Sequence, residues 1–156
     1  MPNGKKIGNS FENRVAKDIR AHLKAGRRDV YRTPGSGSHP CIGRMDVVVD
    51  GKLRDKFPWN VECKKDRTFL FCNLFCPTAK MRSWAMQAVN QAVAENSPPL
   101  LIFQGLRTPI FCAVLQDCKV TKAQRFATRS PAVLHVTIRK GERWLVFEWT
   151  EFLRLV

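Results

Sequence analysis

Two strand-like runs in the first half of this chain carry residues that could do chemistry together. Residues 46–49 begin with Asp46, and residues 61–64 carry Glu62 and Lys64 two positions apart. Because successive side chains of a strand point to opposite faces, Glu62 and Lys64 should share one face. Carboxylate oxygens suit a hard divalent cation, and a metal with a nearby ammonium can activate and orient water against a phosphodiester. The pattern therefore permits a metal-dependent hydrolytic site.

The element before these strands is an amphipathic helix. Its apolar residues recur every four positions, and they are Phe11, Val15, Ile19 and Leu23. Asn9 or Ser10 is the expected N-cap, which would place Glu12 in the first turn, and Gly26 is the expected end. The helix is thus expected to bring an acid close to the two strands.

The remaining elements predict a mixed sheet. Strands are expected at 29–32, 45–49, 59–65, 100–104 and 110–115, a helix at 81–96, and a hairpin from 133–139 to 144–149. The tail at 150–156 should form a short helical turn, while residues 66–78 show no clear period. This order favours an α/β fold, with helices packed on one mixed sheet in a single domain at 1–156.

Charge is the most unusual property of the composition. The 156 residues include 27 Lys and Arg against 13 Asp and Glu, a formal net charge of +14. A small basic protein most often meets a polyanion, and nucleic acid is the first candidate. We expect no membrane partner, because no Lys-rich amphipathic helix with a Trp and Leu face is evident. A solvated basic surface without a partner is the alternative.

The sequence also bears on location and redox state. No stretch is long and apolar enough to span a bilayer, and no leader is evident, so we expect a cytoplasmic protein of a bacterial, archaeal or phage-infected host cell. The six cysteines form no Cys-x2-Cys pair, and no histidine lies in register with Cys72 and Cys76. This spacing favours reduced and mostly buried thiols over a structural zinc site.

The chain resembles the PD-(D/E)xK nuclease superfamily and, more narrowly, the archaeal-type Holliday junction resolvases that some phages also carry. The matching pieces occur in order at 8–12 (Gly-Asn-Ser-Phe-Glu), 32–37 (Arg-Thr-Pro-Gly-Ser-Gly), 46–49 and 61–64. Met45 stands where the family commonly has proline. The resemblance implies a restriction-endonuclease-like core, with a mixed central β-sheet flanked by helices.

The resemblance also implies a metal and water site. Asp46, Glu62 and the backbone carbonyl of Cys63 would bind Mg2+, for which Mn2+ could substitute. Glu12 would hold a metal-bound water, assist a second metal or contact the phosphate. Lys64 would orient the attacking water and offset charge in the transition state. The alternatives are structural: Asp46 caps a strand, Glu62 pairs with a neighbouring lysine, and Glu12 complements the helix dipole.

DNA contacts are the second implication of the resemblance. Ser36 matches a loop serine of these resolvases that contacts the scissile phosphate, so we expect it to be a catalytic residue. The alternative is that Ser36, flanked by glycines, only shapes the loop. The other expected DNA-binding residues are Arg32, Gly37, Arg44, Lys65 and Gln87. Gln87 and Gln91 lie one helical turn apart, and an exposed polar stripe explains them equally well.

The expected activity is that of a metal-dependent endonuclease that resolves four-way DNA junctions by paired phosphodiester hydrolysis. Its products would carry a 5′-phosphate and a 3′-hydroxyl, and it would act as a homodimer without a small-molecule cofactor. Apolar residues of the 69–75 segment could face either a second copy or the core. Two alternatives stay open: a restriction or repair nuclease with another DNA substrate, and an inactive basic DNA-binding module.

Overall fold

The computed structural model describes residues 4–34, 45–116, 134–139 and 141–156. Helix α1 (Gly4–Leu23) opens this part and buries Phe11, Val15 and Ile19, as the period predicts. Its predicted start was wrong, because Asn9 and Ser10 lie inside the helix. No proline interrupts residues 4–8, so the helix continues through them.

The described strands form one seven-stranded sheet in the order β1-β2-β3-β4-β5-β7-β6. They are β1 (Val30–Arg32), β2 (Val47–Val49), β3 (Asn60–Lys65), β4 (Pro99–Gln104), β5 (Ile110–Leu115), β6 (Leu134–Arg139) and β7 (Glu142–Glu148). Only β3 and β4 pair in parallel within this sheet. A parallel pair needs a crossover connection, and α2 (Ala79–Ala94) provides it between β3 and β4. The predicted hairpin near the C-terminus is confirmed, since β6 and β7 pair antiparallel.

Helices cover both faces of the sheet. α1 and the C-terminal α3 (Trp149–Leu155) share one buried cluster with the Val61 and Cys63 side of β3. On the other face, α2 packs Ala85 and Ala88 against the apolar side chains of β4, β5 and β7. This confirms the predicted α/β class, a mixed sheet flanked by helices in a restriction-endonuclease-like fold.

Side-chain alternation along β3 divides its residues between these two layers. Val61 and Cys63 belong to the α1 layer, so Asn60, Glu62 and Lys64 project toward the α2 layer. Asn60 and Glu62 are buried, which places polar groups inside the protein at this strand. The predicted pairing of Glu62 and Lys64 on one face is confirmed by their ion pair.

The segment without a clear period contains little regular structure. Between β3 and α2 it forms only the one-turn 3-10 helix Phe71–Leu74, and Thr78 then caps α2 by accepting a hydrogen bond from the Met81 N–H. Residues 119–129, which carry two lysines and two arginines, lie outside the described residues. Within the described parts of the chain, no helix combines the length and apolar character needed to cross a membrane.

Candidate active site

Asp46 is locked against β3 on both sides of Glu62. Its backbone N–H donates to the Val61 carbonyl at 2.9 Å, and its Oδ2 accepts from the Cys63 N–H at 2.8 Å. The Asp46 carbonyl in turn accepts a bond from the Thr33 N–H at 2.9 Å. The two predicted acids are therefore held side by side by the backbone of the sheet.

Glu62 is a buried carboxylate with little internal compensation. Only 1% of its side chain is exposed, and the Lys64 ammonium lies 2.5 Å from its Oε1. Neither Glu62 oxygen accepts a well-aligned hydrogen bond from the residues that the structure describes. Burial and then the charge of Asp46 raise the pKa of Glu62 to about 7, although Lys64 and the Gln91 amide favour the ionised form.

Glu12 belongs to the same electrostatic cluster. Its Oε2 lies 3.2 Å from Arg32 Nη1, which also donates to Asn9 Oδ1 at 3.2 Å. Burial and then Asp46 raise the pKa of Glu12 despite the opposing effects of Arg32 and Lys64. Because α1 begins at Gly4, Glu12 lies beyond the first turn, and the helix dipole does not account for it.

The glutamine nearest to the site is Gln91, which was not among the expected site residues. Its amide favours the charged form of Glu62, and its Oε1 is buried without a partner among the described atoms, although the residue as a whole is only half-buried. Gln87, the residue chosen from the sequence, is exposed one turn earlier on α2. Each glutamine directly precedes a buried alanine, Ala88 or Ala92, so the sequence did not distinguish the two.

Asn60 is a second polar residue that sequence reasoning missed. It is fully buried on the same strand face as Glu62, and neither side-chain amide atom has a partner in the described part of the chain. A buried amide without partners is rare and calls for a water or a ligand nearby. Its position two residues before Glu62 was the only signal that the sequence offered.

The donor set fits a hard divalent cation. The Asp46 and Glu62 carboxylates repel each other, and the buried Glu62 oxygens have only the Lys64 ion pair and no well-aligned hydrogen bond from the described residues, so a cation there would relieve both penalties. The described residues contain no cluster of three or more His, Cys, Asp or Glu side chains arranged around a metal. Two carboxylates are nonetheless enough for Mg2+, which usually keeps several waters and substrate oxygens.

Only two of the remaining expected DNA-binding residues, Arg32 and Lys65, lie in the described part of the chain. Arg32 lies in the cluster through Glu12, and Lys65 is exposed with its ammonium 5.7 Å from the centre of the Phe11 ring. Ser36, Gly37 and Arg44 lie outside the described residues, as do Cys41 and Cys118.

The four described cysteines divide equally between interior and surface. Cys63 and Cys112 are buried, whereas Cys72 and Cys76 are exposed. The expectation of mostly buried thiols therefore applies to half of them.

Comparison with known proteins gives one match. A family model described as "Phage putative PDDEXK endonuclease" matches residues 3–156. Neither the search of curated proteins nor the search of solved structures gave a match. Asp46 and the run 62–64 remain the candidates for the motif that the family description names, with Met45 in place of its proline.

Proposed function

This chain belongs to the phage PD-(D/E)xK endonuclease family, and on that premise we propose that it resolves four-way DNA junctions with Mg2+. Family membership supports a nuclease, and PD-(D/E)xK nucleases typically use divalent metals. The observation that supports the proposed site is the buried Glu62. It lies beside Asp46, and its carboxylate oxygens accept no well-aligned hydrogen bond from the described residues. The junction as substrate is supported by the resemblance of the 32–37 loop and by the charge of +14.

The proposed roles follow from position. Asp46 and Glu62, with the Cys63 carbonyl, would hold the cation, which when bound polarises the phosphate and lowers the pKa of water. Lys64, fixed 2.5 Å from Glu62, orients the attacking water and offsets charge that develops on the phosphate oxygens. Water attacks phosphorus and the bond to the 3′ oxygen breaks, which leaves a 5′-phosphate and a 3′-hydroxyl.

Three further side chains would support this arrangement. Arg32 holds the Glu12 carboxylate, which faces the same cluster and would contact a metal-bound water. The Gln91 amide stabilises the charged form of Glu62. Both contacts keep carboxylates oriented in a region where burial favours their neutral forms.

The test compares a labelled four-way junction with a linear duplex of the same sequence, in Mg2+, Mn2+ and EDTA. We expect paired symmetric nicks in the junction only, with activity lost in Glu62→Gln and kept in Glu151→Gln. Glu151 is a suitable control because it is half-exposed on α3 and pairs with Arg154. Equal cutting of the duplex would indicate another nuclease class, and salt-sensitive binding without cleavage in either metal would indicate an inactive binding module.

We also propose that the protein acts as a homodimer, which would match the two-fold symmetry of a four-way junction. Phe69 and Leu74 belong to the core, but three neighbouring apolar residues are exposed: Leu70 by 60%, Phe71 by 43% and Phe75 by 62%. The Phe71 and Phe75 rings contact each other, with centroids 5.8 Å apart, and an exposed apolar patch of this kind supports self-association.

Light scattering tests this proposal. We expect wild-type dimers and Phe75→Ser monomers, with Val93→Ser as the control because Val93 is an exposed apolar residue on α2. A wild-type monomer at concentrations that support junction cleavage would contradict the dimer.

A further inference from the structure

A cleft of about 500 Å³ opens beside the candidate site, where β3 and β4 end. Its walls come from the N-terminal part of α1, the residues that follow β3, and the turn between β4 and β5. Lys65 lines the cleft and directly follows Lys64 in the chain. The Lys64 and Lys65 side chains leave opposite faces of β3, so a DNA strand whose scissile phosphate lies at Lys64 would reach the cleft by passing the end of this strand.

The cleft is strongly cationic. Its charged lining consists of Lys6, Lys65, Arg67 and Arg107, with Asp66 as the single acid. The Asp66 carboxylate already has partners other than these cations. It lies 2.5 Å from Lys80 Nζ and accepts hydrogen bonds from the Thr68 N–H at 2.8 Å and the Thr68 hydroxyl at 2.7 Å. None of the four cations forms an ion pair with a carboxylate of the described residues. A concave surface of this kind attracts an anion.

The β4–β5 turn fixes Arg107 at the edge of the cleft. A Cβ on Gly105 would lie 2.4 Å from the Phe69 carbonyl oxygen, so only glycine fits there. The Gly105 N–H donates to Thr108 Oγ1 at 2.9 Å, and the Gln104 amide donates to the Thr108 carbonyl at 3.0 Å. Within this closed turn Arg107 adopts a φ of +56°, an unfavourable conformation that bulky residues keep mainly where structure or function demands it.

We propose that this cleft binds an internal backbone phosphate of the DNA strand that is being cut, next to the scissile one. A guanidinium matches a phosphate in two-point geometry, and the lysines add charge without reading sequence. The proposal rests on the proposed nuclease function, and it assigns to Arg107 and Arg67 a role in substrate affinity. A terminal 5′-phosphate offers the same chemistry, so the experiment must separate the two sources.

The experiment measures junction binding by fluorescence anisotropy over a range of salt concentrations, without divalent metal. Arg67→Gln, Arg107→Gln and the double variant are compared with Lys52→Gln, which removes one exposed charge from a different turn. The slope of log K against the logarithm of the salt concentration is negative, and each lost phosphate contact should make it less steep by about 1. The double variant should therefore make it less steep by about 2. Lys52→Gln should keep the wild-type slope.

Two further arms complete the test. Arg107→Gly removes the side chain and also relieves the positive φ, so it should fold at least as well as wild type and still lose one contact. The same DNA is then measured with and without a 5′-phosphate, and we expect equal affinities.

Two outcomes would overturn the proposal. An Arg107→Gln slope equal to that of Lys52→Gln would eliminate the subsite, and a requirement for the 5′-phosphate would eliminate the internal phosphodiester. Failure of the nuclease proposal has a different signature, because wild type would then lack cleavage in every divalent metal while these binding differences persist.

Discussion

The buried Glu62 should make the metal-free protein less stable as the pH rises. Burial, followed by the charge of Asp46, raises its pKa from 4.5 to about 7. The folded protein therefore holds this proton more tightly than the unfolded chain does. The stabilisation that comes from this tighter proton binding by Glu62 is fully present below pH 4.5, and it is lost as the pH rises through about 7. At about 1.4 kcal/mol per pKa unit, the loss is about 3 kcal/mol.

Glu62→Gln tests this directly, because an amide stays neutral at every pH. At pH 8 without metal, the variant should be more stable than wild type by about 3 kcal/mol, or roughly 6–12 °C in melting temperature. At pH 4.5 the difference should be close to zero, since Glu62 is then protonated in the folded state. The same substitution should abolish junction cleavage. Circular dichroism melts in EDTA at the two pH values measure the first effect.

The comparison between variants isolates Glu62 from Glu12, the pKa of which is also raised by burial and by Asp46. Glu151→Gln changes an exposed acid and should show no such pH-dependent gain. Mg2+ at pH 8 should raise the melting temperature of wild type and leave Glu62→Gln nearly unchanged. A Glu62→Gln variant that is destabilised equally at both pH values would refute the reasoning, because Glu62 would then be a compensated structural acid.

Three further substitutions make independent predictions. Asp46→Asn keeps an acceptor for the Cys63 N–H but removes the charge, so junction cleavage should fall by at least about a hundredfold while the dissociation constant in EDTA stays near wild type. Gln91→Ala should raise the Mg2+ concentration needed for half-maximal cleavage by about tenfold, as losses of supporting contacts do, and the exposed Gln87→Ala should not. Gly105→Ala forces a contact with the Phe69 carbonyl and should lower the unfolding free energy by about 1–3 kcal/mol in urea titrations, whereas Gly51→Ala, with open space around it, should not.

The strands were predictable from sequence because their signal is local. Alternation at 61–64 indicated that Glu62 and Lys64 share a face, and their ion pair agrees. The start of α1 was missed because a polar pair at positions 9 and 10 imitates a cap. Asn9 instead accepts a hydrogen bond from Arg32, and that contact depends on the folded position of β1.

The burial and the neighbours of the site residues could not be predicted from the sequence. The burial of Glu62 depends on α2 lying close to β3 and β4, which the small side chains of Ala85, Ala88 and Ala92 allow. The choice of Gln91 over Gln87 follows from the same packing. Propensity and spacing are properties of one segment, whereas the pKa of Glu62 reflects several segments at once.

The attachment of β2 to β3 has a consequence for how the protein opens. The two strands pair in register only at Val47 and Val61, whereas β3 and β4 pair along six residues. The bonds that Asp46 makes are thus a large part of the hydrogen bonding between β2 and β3, while Val47 and Val49 hold β2 against α1 by packing. A cation bound between Asp46 and Glu62 would strengthen the attachment of β2 to β3. Hydrogen exchange at the Cys63 amide should then slow on metal binding, which would report occupancy of the site without any turnover.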